Sequence, residues 1–226
     1  MSRPSSLSGR RAFAIVSATA LLSALAVASI TSLSAASAAP GHHRAVHTKS
    51  LALHDNMRAL WQAHGTWTER AIVDFVGGLP DTDLVVQRLL QNQVDIGNAV
   101  KPYYGRKAGN QLTALLKAHI NDAVAVLVAA KSGDANATAT AKATFYANGN
   151  EVASFLHAAN PAHWSMHEMK TMMRVHLNQV IALAVDQLEG NYKAAIAEYN
   201  VYISHILDMA EMLSTGIMQQ FPARFS

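Results

Sequence analysis

The chain has 226 residues, half of them hydrophobic, with no cysteine and with 18 Lys and Arg against 15 Asp and Glu. Arg3, Arg10 and Arg11 all precede residue 39, so the remainder balances at 15 against 15 and carries no electrostatic footprint for nucleic acid. Without cysteine there is no disulfide scaffold and no thiolate metal site, and stability must come from packing one core.

Residues 1–38 read as an export signal. A basic start is followed by the apolar run from Ala12 to Ile30, and "SAASAAP" supplies an Ala-x-Ala cleavage pattern, most simply after Ala38. "RRAF" resembles a twin-arginine signal, which would mean export of a folded chain. The expected location is therefore the cell envelope or the exterior, with no stable membrane span once the signal is cleaved. The run is also long enough to approach a span of about 20 residues, so a retained anchor is the alternative.

Residues 39–50, "APGHHRAVHTKS", are polar and aperiodic and read as a flexible tail whose His42, His43 and His47 could hold a metal only weakly. From Leu51 to Phe221 the pattern is helical, as a single domain. Breakers at "GGLPD", "KPYYG", "KSGDAN", "NPAHW" and "EGN" divide it into six segments, near 51–76, 81–99, 105–131, 135–158, 166–188 and 191–219. The expected fold is all-α, a six-helix bundle built from three antiparallel hairpins at 51–99, 105–158 and 166–219.

The hairpins read as an internal repeat. Leu112 to Leu156 aligns with Met169 to Leu213 without a gap, and "LWQAHGT" places His64 under His119. His64, His119 and His176 each lie 14 positions before a turn glycine, Gly78, Gly133 and Gly190. On the return helices Asn92, Asn148 and His205 follow that glycine by 14, 15 and 15 positions. Residues equidistant from an antiparallel turn stand at one height, about 20 Å along the axis, so each histidine should face Asn or His. Asp95, Glu151 and Asp208 follow three residues later, one turn away.

This pattern permits two readings. Each histidine could be a register pin, paired with the amide and the carboxylate because buried polar groups need partners. Alternatively a subset of His64, His119, His176, His205, Asp95, Glu151 and Asp208, with Asn92 and Asn148 behind them, encloses a metal ion or small ligand. Imidazole with carboxylate suits zinc, iron or manganese, and Met172, Met209 and Met212 at helical spacing from His176 and His205 would instead suit copper(I). The order His205-x-x-Asp208 reverses the Glu-x-x-His of bundle di-iron proteins. Since packed helices lie about 8 to 10 Å apart, only three or four adjacent helices should share one ion, with the third hairpin the richest. Trp61 and Trp67, which flank His64, read as core packing, and His157, His163 and His167 as surface groups around a loop.

No Gly-x-Ser-x-Gly, no strand-linked glycine-rich phosphate loop and no His-Glu-x-x-His is present. An enzyme using His205 and Asp208 as acid and base is therefore the third expectation, after a binding protein and a structural or interaction module of the envelope. At "LWQAHGTWTERAIV", "LPDTDLVVQRLLQNQVDIGNAVKPYYG", "LLKAHI", "FYAN", "MMRVHL" and "MAEMLSTGIMQQF" the chain resembles a group of small helical bacterial proteins without an established function. Some members have been called acetylglutamate kinase or glycosyltransferase. The resemblance spans Leu60 to Phe221 and implies a helical fold and no mechanism. Neither the phosphate loop of a kinase nor the α/β domain of an ordinary sugar-nucleotide transferase is visible here.

Overall fold

A computed structural model describes residues 41–226, with side chains from Lys49 onward; the export-signal reading falls outside these residues. The described chain is all-α. It comprises α1 (Gly41–Gly77), α2 (Thr82–Ser132), α3 (Ala135–Ala159), α4 (Met166–Leu188) and α5 (Tyr192–Gln220), followed by a short 3-10 turn at Pro222–Arg224. Each helix packs against the next in sequence, α5 returns to α1, and α1 also touches α4 across the middle. That last contact flattens the ring and brings alternate helices within reach of one another.

The helices stop where the chain can supply their missing hydrogen bonds. Gly78, Gly133 and Gly190 adopt positive φ of 66°, 75° and 74°, a conformation that favours glycine. Helix α3 begins with the Asp134 side chain accepting from the Ala137 N–H, and α4 begins with a reciprocal capping box between Ser165 and Glu168.

Two boundaries differ from the sequence reading. The segment 39–50, expected to be an aperiodic tail, is helical from Gly41: no breaker separates Gly41 from Leu51, and extending an existing helix is far easier than nucleating one. Five helices stand where six segments were expected, because α2 runs through "KPYY" with Pro102 inside it and leaves helical geometry only at Gly105, φ 82° and ψ 168°. Proline's fixed φ suits a helix and forfeits one backbone bond. Packing of the next two, partly buried side chains offsets that loss, with Tyr103 stacked on Phe225 at 5.8 Å and Tyr104 edge-on to Phe221 at 5.2 Å.

Beyond Gly105 the second arm of α2 lies against the first at Gly97 and Gly109. A Cβ on Gly97 would stand 2.6 Å from the Gly109 carbonyl oxygen, and one on Gly109 would stand 2.5 Å from the Gly97 oxygen. Neither helix can yield there without moving backbone. Gly97→Ala is expected to lower stability by about 1 to 3 kcal/mol through overpacking. Gly77→Ala, whose Cβ would meet nothing closer than 3.6 Å, should change it little; urea unfolding of both variants checks this.

Candidate functional site

Three imidazoles meet at the centre of the bundle. His64 of α1, His119 of α2 and His176 of α4 are 2%, 3% and 2% exposed. The His176 ring lies 5.8 Å from that of His64 and 5.5 Å from that of His119, centroid to centroid. Aromatic rings surround the cluster: Trp61 edge-on to His64, Phe145 4.7 Å from His119, and Tyr202 stacked on His176 at 5.6 Å.

The return helices hold carbonyl oxygens one turn before each histidine. Asn92 Nδ2 donates to the Leu60 oxygen at 3.0 Å, Asn148 Nδ2 to the Leu115 oxygen at 3.2 Å, and His205 Nε2 to the Met172 oxygen at 3.1 Å. These contacts also orient the amides. With its nitrogen on Leu115, Asn148 turns Oδ1 toward His119 and accepts from His119 Nδ1–H at 2.8 Å, so the lone pair of His119 is on Nε2. Gln93 Nε2 donates one hydrogen to the Leu89 oxygen at 2.8 Å and shares the other between Asn92 Oδ1 and His64 Nδ1, each at 3.2 Å, so His64 Nδ1 accepts and its proton is on Nε2. His176 has no such arrangement, and its buried Nδ1 lacks any hydrogen-bond partner.

The rings line a cavity of about 30 Å³. Its other walls include Met57, Met173, Met209, Trp61, Trp164, Ile96, Leu116 and Val152. That volume exceeds the 10 to 15 Å³, roughly, that one water molecule needs. Trp164 fits at the cavity wall because Gly216 leaves room for its indole: a Cβ there would lie 2.0 Å from Nε1.

The expected ligand set separates into two groups. His64, His119 and His176 come together, whereas Asp95, Glu151 and Asp208 turn outward; Asp95 is half-buried beside Arg88 at 3.7 Å, and Glu151 and Asp208 are exposed. The reason lies in helical periodicity. Three residues advance a helix by 300° and four by 400°, so the residues four on, Ile96, Val152 and Met209, follow the polar positions into the core. Among the described residues no group of three or more His, Asp or Glu could hold a metal ion. His205, expected beside His176, is partly buried and bonded to the Met172 carbonyl. His163 and His167 are exposed, as expected of loop groups, while His157 accepts a closer role with Nδ1 2.8 Å from the Trp164 oxygen.

Two groups escaped the sequence reading. Gln93 is fully buried against His64, and the only hint was a second amide beside Asn92 in "NQVD". Asp74 is also fully buried, held through both carboxylate oxygens by Arg70 Nε at 2.7 Å, while Arg70 extends to Asp81. The i, i+4 spacing of Arg70 and Asp74 was the available signal. No protein-family model, curated protein or solved structure matches the chain.

Burial holds the three histidines neutral. Desolvation lowers the pKa of His64 from 6.5 to about 3 and that of His119 to about 4, with the Asn148 hydrogen bond working against the second shift. His176 is lowered well below 6.5 by desolvation and then by His119 and His64. In the unfolded chain these rings bind protons near 6.5, whereas in the folded chain they do so only at lower pH. Stability is thus retained above 6.5 and lost as pH falls below it. His205, also lowered by desolvation, acts in the same direction, and partly buried His54 acts oppositely, its pKa raised by Asp55 and Glu211. The expected slope below pH 6 approaches three protons, about 4 kcal/mol per pH unit. Urea midpoints at pH 7, 6, 5 and 4.5 test this, and His119→Gln should reduce the slope by about one proton.

Proposed function

We propose that the chain is an exported three-hairpin bundle whose histidine-lined cavity binds a small ligand. The observation that carries this reading is His176: it is buried between two other imidazoles with Nδ1 unpartnered. An unsatisfied buried polar atom costs about 1 to 3 kcal/mol, and an apolar ring of similar volume would avoid that cost. The neighbours are arranged to receive something. His64 offers an Nε2–H donor and His119 an Nε2 lone pair, on walls otherwise apolar. A few polar groups converging in an apolar cavity are characteristic of small-ligand sites.

The hairpin repeat and the export signal belong to the same proposal. Equal spacing of His64, His119 and His176 from their turn glycines supports the repeat, and so do the three bonds to carbonyls four residues before each histidine. The N-terminal sequence supports export. A second reading, a structural envelope module pinned by its polar layer, is favoured by those three bonds alone. They fix register through Asn92, Asn148 and His205 and do not need the imidazole of His176.

The two readings make opposite predictions for stability. His176→Leu should raise the thermal midpoint by several degrees, because an unpaired polar ring is replaced by an apolar side chain in a site kept polar for its ligand. Asn148→Leu should lower stability by about 1 to 3 kcal/mol, since it leaves His119 Nδ1 and the cross-hairpin contact unmet. If His176→Leu costs as much as Asn148→Leu, the imidazole is a structural pin and the ligand reading fails. Calorimetry of the full chain at pH 7.5 provides the comparison.

A further inference from the structure

The cavity is lined by three imidazole and three thioether side chains, with no carboxylate among the lining residues. We propose that this cavity is a site for a soft monovalent metal ion, copper(I) or its redox-inert analogue silver(I). His119 and His176 supply the nitrogens and Met173 the sulfur. The proposal rests on the reading of the cavity as a ligand site and names the ligand's chemical class.

Geometry selects these residues. His119 Nδ1–H is committed to Asn148, which leaves Nε2 as a lone-pair donor, and the unpartnered His176 lies next to it. Two imidazoles bound to one ion through bonds of about 2 Å have ring centroids no more than about 6 Å apart. The His119 and His176 centroids are 5.5 Å apart. Met173 precedes His176 by three residues on the same helix and lines the same cavity. Its tip reaches toward α3, where a Cβ on Gly149 would lie 3.8 Å from the Met173 methyl carbon, beside the Asn148 that orients His119. His64 is left out because its Nε2 carries the proton; it closes the side of the site.

Charge and softness select the ion. With uncharged donors and apolar walls, the whole ionic charge is buried, and the Born cost rises with its square, roughly fourfold from a monocation to a dication. Thioether and imidazole donors suit copper(I), whereas magnesium, calcium and manganese favour the oxygen ligands that this chain keeps outside. Met57 and Met209 on the remaining walls extend the same soft lining.

The test uses the untagged full chain with His42, His43 and His47 changed to Ala, so that the N-terminal histidines take up no metal. Anaerobic titration with copper(I) against a chromophoric chelator should give one ion per chain. Met173→Leu should weaken binding at least 10-fold and His119→Gln at least 100-fold, with circular dichroism verifying the helical fold. X-ray absorption should report a shell of nitrogen and sulfur, with the sulfur lost in Met173→Leu. Failure of the folded chain to take up copper(I) or silver(I) overturns the assignment. So does zinc(II) binding as tightly as copper(I), or a sulfur shell unchanged in Met173→Leu. If metal uptake fails while His176→Leu stabilises the chain, the metal assignment falls and the ligand cavity stands. If His176→Leu destabilises the chain as well, both readings fall.

Discussion

Removing a histidine from water is tolerable while the ring stays neutral, and the interior of this bundle is organised around doing so three times, with hydrogen-bond partners supplied to two of the rings. Desolvation keeps His64, His119 and His176 uncharged, and aromatic faces cover them where water would otherwise be. The amides that meet two of the rings are themselves anchored to backbone carbonyls of the facing helices. Tautomer, ring orientation and hairpin register are consequently linked: an axial slip by one turn would move both the amide from its carbonyl and the imidazole from its partner. The contact between α1 and α4 follows from the same requirement, since the rings of alternate helices must touch at the centre.

A division of labour follows. The side-chain bonds to the carbonyls of Leu60, Leu115 and Met172 suffice to set register, and each is the ordinary kind of contact worth about 0.5 to 1.5 kcal/mol. His176 contributes none of them. What it adds is an uncharged donor or acceptor beside a space that apolar packing could have closed, on walls made of aromatic, methionine and aliphatic side chains. The cost of such a group is borne by a core that otherwise runs without interruption from Leu53 and Met57 to Ile217 and Phe225.

Much of the helical architecture was legible because its punctuation is local. Gly78, Gly133 and Gly190 stop helices through their own backbone freedom, and the His119 to Asn148 pairing is readable as equal distance from Gly133. What was not legible depended on tertiary contact. Nothing near Pro102 discloses that Phe221, Phe225 and Trp164 would pack on Tyr103 and Tyr104 and carry the helix through to Gly105. The carboxylates were misjudged by a rotation: Asp95, Glu151 and Asp208 are one turn from the polar positions, yet 60° from the inward direction and on the wet side of a narrow face. Gln93 was hidden because its neighbour Asn92 already filled the expected role. His64, His119 and His176 all stand in the expected set, but which of its members meet depends on the contact between α1 and α4, which no local pattern discloses.

Every neighbouring pair in the ring of helices is tied by a short turn except α1 and α5, whose pairing joins the two ends of the described fold. That seam is fastened from outside by Glu211, which meets His54 Nε2 at 2.8 Å and Arg58 at 2.6 Å, and by Lys49, which donates to the Ser226 oxygen at 2.9 Å. Its inner side is a close approach between Gly65, next to His64, and Ile203. The α1–α5 pairing is thus the one neighbouring contact of the ring that no short turn enforces, held by packing and by these surface bonds. Closure of the ring is therefore a matter of side-chain contacts at Glu211 and Lys49 rather than of chain connectivity.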